Sequence, residues 1–115
     1  MRRAMPLLTG VALLLGLAHL GLSALAWRSW SAEVLWFAGS GLAIILAGLF
    51  NVAMIRATAV DRVQKAVWVF ANLAAALFFV AAWSVLAQPQ VVVGGVVFAL
   101  LGLAAAGTRS DRARA

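Results

Sequence analysis

Four apolar stretches, each close to the length of a bilayer crossing and separated only by short polar connections, constrain this chain more than any other feature. They lie at about residues 5–27, 33–55, 62–87 and 89–107, and nearly everything outside them is loop or tail. At 1.5 Å per residue, helices of this length traverse roughly 30 Å of hydrocarbon. Composition agrees: 66% of the 115 residues are hydrophobic and 10% are charged, against about a quarter charged in a soluble chain. The expected fold class is therefore all-α integral membrane. We expect four antiparallel transmembrane helices in a left-handed up-down bundle, with N-terminus and C-terminus cytoplasmic, forming one domain over residues 1–115 with a basic tail at 108–115.

The ends of the stretches carry capping chemistry. Ser31 is placed to cap the second helix with Glu33 in its first turn, and Asp61-Arg62-Val63-Gln64 has the form of a capping box for the third. Pro89 suits a first helical position and Gly107 a C-terminal stop. Ser84 can bond back to the preceding turn.

Orientation follows from the basic residues. Arg2, Arg3, Arg56, Arg62, Lys65, Arg109, Arg112 and Arg114 all fall on one side of the expected topology and only Arg28 on the other, a bias that marks the richer side as cytoplasmic. The net charge of +6 is thus read as a topology signal rather than a nucleic-acid footprint, so no nucleic-acid partner is expected. The tail can also meet anionic lipid heads. Trp27, Trp30, Trp36 and Phe37 on the outer side, and Trp68 nearer the inner side, suit interfacial anchoring. Arg2-Arg3, the apolar run and Ala24-Leu25-Ala26 also fit a cleaved signal peptide. We read a retained helix, because the run over residues 5–25 exceeds the 7–15 residues usual for a signal core. Arginine-over-lysine and alanine-rich usage points to a bacterial source and hence to the inner (plasma) membrane.

Within the spans, polar and small residues mark the faces that meet other helices. Thr9, Ala12, Gly16, His19, Ser23 and Ala26 form such a stripe on the first helix. Glu33, Phe37, Ser40, Ile44, Ala47, Asn51 and Met54 form one on the second, and Lys65, Trp68, Asn72, Ala75, Phe79 and Ala82 on the third. Val92, Gly95, Ala99, Gly102 and Ala106 form the fourth. Depth then pairs the polar groups. His19 and Ser40 are level, each roughly 11 Å below the outer helix ends, which predicts a His19–Ser40 hydrogen bond. Glu33 is expected to reach Arg28 or another outer group. Asn51 and Asn72 are offset by roughly 6 Å in hairpin register, so a direct pair requires a slide or a bridging water.

The candidate ligand-binding or interhelical polar residues are therefore His19, Ser40, Glu33, Asn51 and Asn72. His19 is the only histidine and the only side chain in the spans that changes charge near neutral pH. It serves either as an interhelical bond or as part of an outward pocket with Ser40, Glu33, Trp36 and Trp83; we favour the bond, and packing amides for Asn51 and Asn72. With no cysteine there is no thiol nucleophile or thiolate metal site. No paired carboxylate, His-rich metal pattern, Gly-x-Ser-x-Gly or phosphate-cradling Gly-Lys-Ser/Thr occurs. We expect no enzyme activity, metal or cofactor.

By length and helix count the chain resembles the small multidrug resistance transporters, which also place four helices in just over a hundred residues. That family's first helix carries a membrane-embedded glutamate for cationic substrate and protons, where this chain has His19 and no acid. Two functions follow as expectations. The first is an accessory or interaction subunit, or a binder of a lipid-like molecule between the helices, with the lipid bilayer and a membrane-protein partner or second copy as partners. The alternative is a small transporter or permeation subunit in which His19, Ser40, Asn51 and Asn72 line a path in an oligomer.

Overall fold

The computed structural model describes residues 2–26 and 29–110. A short 3-10 turn, Arg2–Ala4, leads into α1 (Met5–Ala26), followed by α2 (Ala32–Arg56), α3 (Arg62–Trp83) and α4 (Pro89–Ala106). All four helices are long and apolar enough to cross a membrane.

The helix starts are those that local chemistry favours. The Ser31 hydroxyl accepts from the Val34 N–H at 3.3 Å. Asp61 accepts from the Gln64 N–H at 2.8 Å while the Gln64 side chain accepts from the Asp61 N–H at 3.0 Å, closing a full capping box. Pro89 opens α4, where its missing N–H costs nothing. Asp61→Ala is expected to lower stability by about 1 kcal/mol, read as an earlier unfolding midpoint in micelles; an unchanged midpoint would show that packing alone sets the start of α3.

Helix ends differ more from expectation. α3 stops at Trp83, not residue 87. Ser84 donates its hydroxyl to the Ala81 carbonyl at 2.7 Å, and the Ser84 and Val85 N–H groups make three-residue turns back to Ala81 and Ala82. Pro89, just beyond, disfavours helical backbone at Gln88, which is extended (φ −117°, ψ 143°). Gly107 does end α4, but in right-handed backbone (φ −76°, ψ −6°), so the stop does not use glycine's access to left-handed conformations.

α1 packs along α2 and α3 along α4. Between these two pairs α1 touches α4, and α2 meets α3 at few points. Glycines set the first seam. A Cβ built on Gly16 would stand 2.9 Å from both the Gly41 carbonyl oxygen and the Ile45 nitrogen, and one on Gly41 would meet His19 Cβ at 2.9 Å and the Leu20 nitrogen at 3.0 Å. Gly48 faces the Leu13 side chain, whose Cδ2 would stand 2.6 Å from an added Cβ. In the second seam Gly94 receives the Phe79 ring and Gly102 the Leu73 side chain, with Phe79 stacked on Phe98 at 5.9 Å.

Burial tests the stripes. On α1, Thr9, Ala12, Gly16, His19 and Ser23 are all buried as expected, while the side chain of Ala26 lies outside the described residues. On α2 the buried line is Val34, Gly41, Ile44, Gly48 and Asn51. Ile44 and Asn51 are on the expected line, but Val34, Gly41 and Gly48 replace Glu33, Ser40 and Ala47, a shift of one residue, because the close approach of α1 selects glycine. On α3 it is Trp68, Asn72, Ala76 and Phe79. The α4 stripe is corrected: Val92 and Ala106 are exposed, and the buried set is Val91, Gly94, Val97, Phe98, Leu101, Gly102, Ala104 and Ala105. α4 touches both α3 and α1, so it buries a wide arc that includes large side chains. Leucines and phenylalanines such as Leu7, Leu14, Phe70, Leu77 and Phe78 remain exposed, an apolar surface of the kind expected of helices long and apolar enough to cross a membrane.

Candidate functional site: a buried amide and indole node

α2 and α3 meet through three polar side chains. Trp68 and Asn72 are four residues apart on α3 and so share one face; Asn51 projects from α2 opposite them. Asn51 donates an amide N–H to Asn72 Oδ1 at 2.9 Å, Asn72 returns one to Asn51 Oδ1 at 3.1 Å, and the Trp68 indole Nε1–H donates to the same Asn51 oxygen at 2.7 Å. The second N–H of each amide turns to its own helix, Asn51 to the Ala47 carbonyl at 2.9 Å and Asn72 to the Trp68 carbonyl at 2.8 Å. Each amide offers two N–H donors and the indole one, and all five are used. Trp68, Asn51 and Asn72 are at most 2% exposed. The indole can only donate, which fixes the Asn51 oxygen, not its nitrogen, towards Trp68.

The offset expected between the asparagines is closed without water. Each Cα–Cβ bond leans towards the N-terminus of its own helix. For α2 that direction runs away from the 57–61 connection, and for α3 towards it. Asn51, nearer the connection, and Asn72, farther from it, therefore lean towards each other. Trp68 is corrected from interfacial anchor to buried donor. Its partner could be suspected from sequence, since an indole placed four residues before Asn72 on the same face must find an acceptor once buried.

The polar groups nearer the connection between α1 and α2 behave differently. His19 is buried, with Nδ1 at 3.1 Å from the Leu15 carbonyl; that oxygen can only accept, so the hydrogen resides on Nδ1. The ring stacks on Phe37 at 4.8 Å and 21°. Ser23 donates to the His19 carbonyl at 2.8 Å and Ser40 to the Phe37 carbonyl at 2.8 Å. The predicted His19–Ser40 hydrogen bond is thus absent: both groups satisfy themselves on their own helices. With Gly41 tight against His19 Cβ, the imidazole lies over Phe37 instead. Glu33 is exposed in the first turn of α2, and its expected partner Arg28 lies outside the described residues. The Thr9 hydroxyl is buried with no hydrogen-bond partner.

The cleft found among the described residues, about 390 Å³ at the end of the α1–α2 pair where the two helices connect, is lined by Leu20, Ser23, Ser29, Trp30 and Val34 and includes none of His19, Ser40, Glu33, Trp36 and Trp83. At the opposite end Lys65 Nζ donates to the Thr108 carbonyl at 2.6 Å, tying the start of α3 to the end of α4. Among the described residues no group of three or more His, Cys, Asp or Glu side chains is placed to hold a metal ion.

The stacking on Phe37 gives His19 a packing contact across α1 and α2. His19→Phe is expected to hold stability to within about 1 kcal/mol, while His19→Ala loses about 1–2 kcal/mol with the ring contact and its bond. Unfolding in micelles distinguishes them, and a phenylalanine variant weaker than the alanine variant would exclude a packing role. No family model matches the chain, and no curated protein or solved structure is similar enough to match it.

Proposed function

We propose that the chain is a bacterial inner-membrane protein whose four helices cross the bilayer antiparallel, as a left-handed up-down bundle with both termini cytoplasmic, and that it works as an accessory subunit engaging another membrane component through its outer faces. Contact order along the seams supports the antiparallel reading: positions 20, 16 and 13 on α1 meet 41, 45 and 48 on α2. One observation carries the function. The amides that would have to line a permeation path are paired with each other and with Trp68, with every donor used. A transport path needs polar groups free to replace a solute's hydration; these are committed to holding α2 and α3 together. The outer cleft supports the companion reading, a lipid-like ligand, because its apolar walls and two serine hydroxyls suit an amphipathic molecule.

A photo-crosslinking residue placed at exposed Leu46 on α2 or Phe70 on α3 tests this in native membranes. A single adduct of defined mass, lost when the neighbouring exposed residues are enlarged, is expected. Adducts to lipid alone at both positions, together with solute flux in proteoliposomes that is blocked by His19→Ala, would replace the accessory reading with transport.

A further inference from the structure

The end of the molecule holding the 57–61 connection gathers cations that its own acids do not match. Arg3 precedes α1, Arg56 ends α2, Arg62 opens α3 and Arg109 follows α4, and all four side chains are exposed. The Lys65 tether to Thr108 keeps Arg109 beside the start of α3. The chain has three acids. Glu33 stands at the opposite end of α2, Asp111 lies outside the described residues, and the Asp61 carboxylate is engaged in the capping box. Lys65 itself is half-buried and spends its ammonium on a main-chain carbonyl. The molecule measures 22 Å across, so the exposed arginines at the four helix ends share one rim of that width where apolar helix gives way to polar connection.

We propose that this rim binds the phosphate of an anionic phospholipid, with guanidinium forks from both helix pairs on its oxygens. The inference rests on the membrane reading above but not on the accessory role. Guanidinium matches phosphate bidentately, and an anionic headgroup is the one phosphate source held at this depth beside a span. Because α2 and α3 touch at few points, Arg56 and Arg62 belong to separately packed pairs, and a headgroup between them adds a link that the side chains of α2 and α3 supply only at the node.

The test is lipid retention by native mass spectrometry of the full chain from nanodiscs of phosphatidylcholine with or without phosphatidylglycerol. Wild type should retain phosphatidylglycerol over phosphatidylcholine, and the Arg56→Gln, Arg62→Gln, Arg109→Gln triple variant should lose about a hundredfold in apparent affinity, each basic residue near an anionic surface contributing about fivefold. Arg28→Gln, in the α1–α2 connection, should change nothing. Equal retention by the triple variant overturns the proposal, as does millimolar pyrophosphate displacing the lipid completely, which would mark a free-anion site. Labelling of Ser110→Cys in sealed inverted vesicles reports orientation separately, so a wrong topology is distinguishable from a rim that binds no lipid.

Discussion

Replacing Asn51 with alanine is expected to cost about 2–3 kcal/mol, a large effect for one amide, because Asn51 is the member of the node whose side chain bonds the side chains of both others. Its loss strips Trp68 Nε1 of its acceptor and Asn72 of both its interhelical bonds, leaving buried donors unpaired at about 1–3 kcal/mol. Interhelical hydrogen bonds in membranes average only about 0.6 kcal/mol, so the prediction rests on the orphaned donors rather than on the bonds. Asn72→Ala should cost less, since Trp68 and Asn51 keep their bond. The two losses should not add: a double-mutant cycle in mixed micelles should give a coupling of about 1 kcal/mol, and additivity within about 0.3–0.5 kcal/mol would mean that the three groups do not act as a unit. Adding Trp68→Phe to Asn51→Leu and Asn72→Leu removes every unpaired group and should recover much of the loss.

Gly16→Ala and Gly41→Ala should each be worse than a surface substitution of any size on the same helices. The added methyl would meet main-chain atoms at 2.9–3.1 Å, and main chain cannot turn away as a side chain can. The helices must separate instead, loosening the whole α1–α2 seam at an expected cost of about 2–3 kcal/mol. Gly102→Ala provides an internal contrast: its nearest neighbour is the Leu73 Cδ2 at 2.8 Å, the end of a flexible side chain that can rotate. Gly21→Ala and Gly39→Ala enter open space and should be neutral or gain up to about 1 kcal/mol from helix propensity. Unfolding midpoints of the five variants, ranked in that order, check the close approach; equal losses at Gly16 and Gly39 would show that the seam is looser than drawn.

The four long apolar helices, the Ser31 cap, the Asp61 box and the α1 stripe are legible in sequence because each depends on local chemistry or on a single helix period. Residues that depend on rotation about a helix axis are not. On α2, Ser40 and Gly41 are adjacent and equally small in pattern terms; only the approach of α1 decides that Gly41 is inside and leaves Ser40 half-buried. On α4 a small-residue line could be drawn through Gly95 as readily as through Gly94, and the two contacting helices selected Gly94, Phe98 and Leu101. The Asn51–Asn72 pairing depends on the lean of side chains towards helix N-termini, a direction that residue counting omits, while Trp68 is buried as its place on the α3 stripe implies and not at an interface as its aromatic character suggests. His19 lies level with Gly41 along the α1–α2 seam, next to Ser40, yet both side chains bond to their own helices.

The Lys65 contact with Thr108 has a consequence for how this chain tolerates change. The acceptor is main chain, so any residue at 108 provides it, and the requirement is written in the sequence at only one of its two ends. What the contact measures is the extent of α4. One residue added to or removed from that helix would carry the carbonyl about 1.5 Å along the axis and roughly a quarter-turn around it, out of reach of a lysine fixed on α3. Lys65 thus acts as a ruler for its neighbour, tolerant of residue identity at the far end and intolerant of length.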